Sequence, residues 1–280
     1  MPERGEFDGK VVLVTGASQP DGIGAAIAER FARFGATVAI HGRQQSQPLA
    51  EQVLEKIRGL GARAEFFAAD LADPNAPEAL IKAVKAGEGF GKVDILVNNA
   101  GVEVSKPVIL LTPEEIDRSF AVNSKAPLLL VKACYRQRVF PKEGASVVNI
   151  GSIVGMFFNE GQSAYAGSKA ALIAETESLA RELGRARIRV NAVLPGFVAT
   201  GMTKKLTSDP NIRKMTEAVI PAGRLATPED IAKVVTWLSG QDAEYINGTS
   251  IQVHGGMGPA YTGLVAFARA GYRLPDQEGK

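Results

Sequence analysis

Lys10-Val11-Val12-Leu13-Val14-Thr15-Gly16-Ala17-Ser18-Gln19-Pro20-Asp21-Gly22-Ile23-Gly24 is the stretch that decides the fold. Val11–Val14 is a short, wholly apolar run, as expected of a strand buried on both faces. From Ile23 to Phe34 the apolar residues recur at helical spacing. Between the two lies a turn carrying Gly16, Gly22 and Gly24. Such a turn lets the backbone approach a pyrophosphate closely, while the N-terminal amides of the following helix offer it partial positive charge. The spacing is G-x5-G-x-G rather than G-x-G-x-x-G, and a glycine-rich turn also serves as a plain tight connection.

Outward from this stretch, strand-like runs recur at Thr37–Ile40, Ala64–Ala69, Ile95–Val97, Ser146–Ile150, Arg189–Leu194 and Ser250–Val253, alternating with helix-like segments. The alternation predicts an α/β fold: a Rossmann-type, doubly wound parallel sheet of about seven strands with helices on both faces. Gly16, Gly42, Asp70, Asn98, Ser152 and Pro195 each follow a predicted strand, so they are expected to converge on one crevice at the strand ends. A chain of 280 residues with 45% hydrophobic content closes a single core, and no linker or repeat divides it, so residues 1–280 are read as one domain.

The net charge of +2 and the lack of a dense Lys/Arg cluster argue against nucleic acid or an anionic membrane as partner. Small molecules are the expected ligands. No apolar run approaches eighteen residues and Met1–Glu6 has no apolar signal region, so the cytoplasm is the expected location. Cys134 is a lone cysteine in the apolar, helix-like stretch Leu128–Phe140 and reads as a packing residue. No metal site is expected.

A second chemical signal is Tyr165-Ala166-Gly167-Ser168-Lys169, with Ser152 thirteen residues upstream of the tyrosine on another predicted element. Ala164–Leu183 is rich in helix formers, and on a helix residues at i and i+4 share a face. Moving a tyrosine from its ordinary pKa of about 10 towards neutrality takes roughly 4 kcal/mol. A positive charge at about 4 Å supplies about that much at an effective dielectric near 20.

Together these residues resemble the short-chain dehydrogenase/reductase family, from Phe7 to Met257. Thr15-Gly16-Ala17-Ser18 through Gly22-Ile23-Gly24 resembles its glycine motif, Asp70-Leu71 its adenine-contacting pair, and Asn98-Asn99-Ala100-Gly101 the motif ending the fourth strand. Asn123, Ser152, Tyr165 and Lys169 match the catalytic tetrad, and Pro195-Gly196 with Val198 and Thr200 the nicotinamide-side loop. Within the family the pattern is similar to that of the 3-ketoacyl-ACP reductases, through Gly161–Tyr165, Ser178–Glu182, Leu194–Val198 and Val253–Met257. Residues 259–280 run past the usual end of that branch as a C-terminal extension, read as a subunit-packing segment, a lid or a disordered tail.

The resemblance implies an oxidoreductase in which Tyr165 donates the proton, Ser152 stabilises the developing alkoxide, Lys169 lowers the tyrosine pKa and holds the nicotinamide ribose, and Asn123 anchors a water leading to that lysine. Gly42 stands where NAD-dependent relatives place an acid, and Arg43 beside it can meet a 2′-phosphate, so NADP(H) is expected. Asp21 stands where many NADP-using relatives carry a base, and Gln19-Pro20-Asp21 is two residues longer than usual, which keeps NAD(H) open. The expected activity is reduction of a ketone or β-keto group. The alternatives are an NAD-dependent dehydrogenase of a secondary alcohol, sugar or steroid, and a non-catalytic dinucleotide sensor. The substrate is a small ketone or alcohol or an acyl thioester. Of two arginines that meet the acyl carrier protein in the resembled branch, Arg181 matches one, while Glu143, beside Lys142, replaces the other. Val154–Gln162 and Gly201–Ile220, with Phe157, Phe158 and Met202, are the expected substrate wall. A homo-oligomer, tetramer or dimer, is expected from the resemblance.

Overall fold

The computed structural model describes residues 5–201, 203 and 208–258. Met202 and the expected extension 259–280 lie outside the described residues. Seven strands, β1 (Val11–Val14), β2 (Thr37–Gly42), β3 (Ala64–Ala68), β4 (Ile95–Asn98), β5 (Ala145–Ile150), β6 (Ile188–Pro195) and β7 (Ser250–Val253), form one sheet in the order β3-β2-β1-β4-β5-β6-β7. Every pairing is parallel.

The described helices are α1 (Ile23–Arg33), α2 (Gln47–Gly59), α3 (Ala76–Ala86), α4 (Pro113–Phe120), α5 (Ala126–Arg136), α6 (Ser163–Leu183), α7 (Pro210–Ala218) and α8 (Pro228–Ser239). The alternation of β1 side chains explains why Val11–Val14 is apolar at every position. Val12 and Val14 join the layer packed with α1, α2 and α8, whereas Val11 and Leu13 join that of α3, α5 and the C-terminal half of α6. Among the described residues, no helix is long and apolar enough to cross a membrane.

Several boundaries differ from the sequence expectation. Strand β2 continues through His41 and Gly42 because both still find ladder partners in Phe67 and Ala68. Strand β6 accepts Pro195 as its last residue, where a missing N–H is tolerated, and Gly196 resumes the contact by donating to the Val253 carbonyl at 2.9 Å. The helix expected over Leu128–Phe140 instead spans Ala126–Arg136. It stops because Arg138 enters the left-handed region at φ 54, and the Val139 amide turns back to the Cys134 carbonyl. Cys134 is fully buried, and burial pushes its thiol pKa up, consistent with a packing role.

Strands β1, β2 and β3 step one way across the sheet and β4 to β7 step the other way. The reversal lies between β1 and β4, and it opens a crevice at their C-terminal ends.

Candidate active site

Helix α6 begins beside that crevice and carries Tyr165 and Lys169 one turn apart. Lys169 is 4% exposed, and its Nζ donates to the Ile150 carbonyl at 2.8 Å, at the end of β5. The ammonium stands 5.9 Å from the centroid of the Tyr165 ring. Burial lowers the pKa of Lys169 itself to about 8, since desolvation disfavours the charged form.

Ser152 follows β5 with its side chain 8% exposed, and its Oγ accepts from the Val154 amide at 3.2 Å, capping the short turn Ile153–Gly155. That turn lies flat on α6 because residue 155 is glycine. A Cβ there would stand 2.9 Å from the Lys169 carbonyl carbon and the Ala170 nitrogen. Asn123 is fully buried in a π-helical turn, Ala121–Lys125, between α4 and α5. Its Oδ1 accepts from Val102 N at 2.8 Å, and its Nδ2 donates to the Val102 carbonyl at 2.8 Å and to Ser168 Oγ at 3.0 Å. A Cβ on Gly101 would lie 3.3 Å from Asn123 Oδ1 and 3.6 Å from Lys169 Nζ, so the loop after β4 closes over both residues. Residues far apart in sequence thus meet at the ends of β4 and β5 and the start of α6.

The glycine turn lies on the other side of the crevice. Gly16 has φ +64, and a Cβ there would come within 2.7 Å of Ala100 Cα; a Cβ on Gly24 would come within 2.5 Å of Asn99 Nδ2. Close packing of these loops, as much as room for a ligand, therefore requires the two glycines. Gly22 is the N-cap of α1 and supplies no side-chain acceptor, and no acid occupies the first helical turn. The first amides of α1, among them those of Ile23 and Gly24, fit a phosphate. The Gln19-Pro20-Asp21 insertion closes on itself through Gly22 N donating to the Gln19 carbonyl at 2.9 Å. The Asp21 carboxylate faces Gly201, where a Cβ would lie 3.4 Å from Oδ2.

At the end of β2, Gly42 is buried and Arg43 is exposed. A Cβ at position 42 would stand 2.7 Å from the Oγ atoms of Ser18 and Ser46 and 2.9 Å from Ser18 Cβ, so a larger residue is accommodated only by displacing Ser18. The Arg43 carbonyl accepts from the Ser46 amide at 2.9 Å and from Ser46 Oγ at 2.7 Å, and its exposed guanidinium acts on Asp70 through charge. Burial alone would raise the pKa of the Asp70 carboxyl, but the Ala72 amide, Arg118 and Arg43 outweigh it and hold the group below its ordinary value. Leu71 packs its side chain into the core, so it offers the crevice only backbone.

Asn98 departs most from expectation. Its side chain is buried and donates to Asn149 Oδ1 at 2.8 Å, beginning a chain that continues from Asn149 to Thr176 of α6. It is Asn99 that holds the glycine turn, with Nδ2 donating to the carbonyls of Thr15 at 2.8 Å and Gly16 at 3.0 Å. Thr15 Oγ1 in turn accepts from the amides of Asn99 and Ala100, both at 3.0 Å. His41 is a third residue that sequence reasoning passed over, since nothing in its spacing distinguishes it from an ordinary strand residue. Thr15 and Asn99 had a signal, each standing inside a motif.

On the third side, Pro195 ends β6 and Gly196 follows it, where a Cβ would meet His254 Cβ at 2.8 Å. Val198 is buried and bridges to Ala226, and Thr200 N donates to Thr203 Oγ1 at 3.0 Å. Phe157 packs against the local apolar cluster, whereas Phe158 is exposed. Arg181 is exposed, and its position sixteen residues beyond Tyr165 puts it about 24 Å along α6. No cluster of three or more His, Cys, Asp or Glu arranged to hold a metal occurs among the described residues.

A family model described as enoyl-(acyl carrier protein) reductase matches residues 16–258. The 3-oxoacyl-[acyl-carrier-protein] reductase FabG of Vibrio cholerae is 40% identical over 251 residues, spanning 90% of this chain and 98% of that protein. The L-rhamnose 1-dehydrogenase (NAD(P)(+)) of a Sphingomonas species is 38% identical over 251 residues, spanning 90% and 97%. Among solved structures, the angucycline C-6 ketoreductase LanV with bound NADP superposes with a TM-score of 0.82 at 37% identity, covering 90% of this chain and 97% of that one.

Proposed function

Because the chain belongs to the short-chain dehydrogenase/reductase family, we propose that it is an NADP(H)-dependent reductase of ketone or β-keto carbonyl groups working through Ser152, Tyr165, Lys169 and Asn123. The single observation that carries this reading is the placement of the buried Lys169 ammonium 5.9 Å from the Tyr165 ring. The nicotinamide, when bound, supplies hydride to the carbonyl carbon. Tyr165 gives its phenolic proton to the oxygen as it becomes an alkoxide. Ser152, fixed by its turn, donates a hydrogen bond to the same oxygen and stabilises the charge that develops there. Lys169 favours the phenolate left behind and loses that power above a pH of about 8, where its own charge titrates. Asn123 positions the lysine side of the site through Ser168 and Val102.

Gly16, Ser18, Gly22, Ile23 and Gly24 are assigned to the pyrophosphate, Arg43 to the 2′-phosphate, Asp70 and the Leu71 backbone to adenine, and Ala100, Gly101, Pro195, Gly196, Val198 and Thr200 to the nicotinamide side. The NADP bound by the LanV ketoreductase and the exposed guanidinium of Arg43 both support this cofactor. The substrate class is a ketone, free or as an acyl thioester. Glu143 in place of an arginine favours free ketones, because it opposes an acidic carrier.

An absorbance assay with NADPH and NADH against a ketone panel that includes a β-ketoacyl thioester tests the proposal. Turnover with NADPH and at least one ketone is expected. Oxidation of sugars or secondary alcohols with NAD alone would replace it by the dehydrogenase reading, which the Sphingomonas relative's name favours. Binding of a dinucleotide with no turnover would favour a sensor.

A further inference from the structure

His41 is the penultimate residue of β2, only 3% exposed, and uses both ring nitrogens. Nδ1 accepts from the Gly16 amide at 3.2 Å, and Nε2 lies 3.2 Å from the Ala69 carbonyl. A carbonyl only accepts and an amide only donates, so the two contacts fix the neutral tautomer with its proton on Nε2. The backbone adds a third tie, Ala17 N donating to the His41 carbonyl at 2.9 Å. Gly16 opens the glycine turn, and Ala69 directly precedes Asp70. One imidazole therefore spans the two loops between which the proposed cofactor places its adenosine half.

The surroundings keep the ring neutral. Burial lowers its pKa to about 4, against the opposing influences of the Ala69 carbonyl and the Asp70 charge. Arg43 at the end of the same strand and Arg118 of α4 both act on Asp70, which offsets its pull on the ring. A protonated Nδ1 would face the Gly16 amide with donor against donor.

We infer that His41 is a positioning residue for the dinucleotide, a neutral clamp that sets the spacing between the glycine turn and the Asp70 loop. The inference rests on the cofactor reading above and assigns a role to a residue that touches no reacting atom. A clamp on the adenosine side acts on NADPH and NADH alike, because both share that half, and it leaves the chemical step alone.

The test compares wild type with His41→Leu, His41→Asn and His41→Gln. Fluorescence titration reads the Kd of NADPH, NADH and the fragment 2′,5′-ADP, and saturating assays read kcat. His41→Leu is expected to weaken all three ligands by about tenfold, the scale of one or two lost hydrogen bonds, with kcat within twofold. His41→Asn, whose Oδ1 can replace Nδ1 as acceptor for Gly16, is expected to recover most of the loss. His41→Gln, which keeps only a donor for Ala69, is expected to recover less. Wild-type affinities in His41→Leu, or in both amide variants should the leucine variant not fold, overturn the inference. So does a loss confined to kcat or to NADPH. Failure of the wild-type protein to bind any of the three ligands would instead overturn the cofactor reading itself.

Discussion

At the scale of single residues, the site places a charged group where water cannot reach it. Lys169 has a pKa near 8 against an ordinary 10.5, so between those values the unfolded chain holds a proton that the folded chain has released. Stability therefore rises with pH across that window, and at pH 7 the full penalty, about 3 kcal/mol, is present. Lys169→Met is expected to raise the melting temperature at pH 7 while removing nearly all turnover, and calorimetry beside a steady-state assay checks both. His41 behaves alike in a lower window. Its folded pKa near 4 lies below the ordinary 6.5, so its contribution is complete above 6.5 and fades as pH falls towards 4. Urea midpoints from pH 7 to 4.5 should fall more steeply for wild type than for His41→Asn. Tyr165→Phe deletes only the transferable proton, and a loss of turnover of about a hundredfold or more is expected with cofactor Kd within a few-fold. Arg43→Ala should weaken NADPH tenfold or more and NADH little, the loss of one charge-assisted contact of about 1.5–3 kcal/mol; titration of both cofactors decides it. An acid introduced as Gly42→Asp looks from sequence like a switch to NADH. The close approach of Ser18 to position 42 argues instead that both cofactors weaken.

At the scale of elements, α1 and the loop after β4 are held together through the glycine turn. Gly24→Ala would drive a methyl to within 2.5 Å of Asn99 Nδ2 and 2.7 Å of the Gly16 carbonyl, both part of that clamp. The expected result is a lower melting temperature together with weaker binding of both dinucleotides, read by calorimetry and titration on one sample. Wild-type values for both would show that the turn relaxes freely. The capping boxes at Thr112 with Glu115 and at Thr227 with Asp230 start α4 and α8. Helix α1, by contrast, starts without a side-chain cap.

For the molecule as a whole, the seven-stranded parallel sheet was legible because a strand buried on both faces must be apolar throughout, as Val11–Val14 and Ile95–Val97 are. The tyrosine–lysine pair was legible because helical spacing is a local property. What escaped was non-local. The direction of the Asn98 side chain, the hold of Asn99 on the glycine turn and the two-sided clamp of His41 depend on which loops meet. Nothing in the spacing of one segment records its neighbour. Oligomeric state has the same character. Ile116, Phe120, Leu128 and Tyr135 on α4 and α5 are exposed, as is Tyr245, and a dimer or tetramer would cover such apolar area. Sedimentation at micromolar concentration should show an oligomer, and a clean monomer would refute this.

Strand β1, made before the six other described strands, ends up in the middle of the sheet. When β2 and β3 have emerged and paired, the far edge of β1 still faces solvent as a row of unpaired backbone N–H and C=O groups. It stays so until residues 95–98 of β4 leave the exit tunnel. At about 5–20 residues per second, the interval between Ala68 and Asn98 amounts to a few seconds for each nascent chain. An open edge of this kind is a template for pairing with another chain. Chaperone engagement of this protein during synthesis is accordingly expected to concentrate on nascent chains whose emerged part ends between β3 and β4.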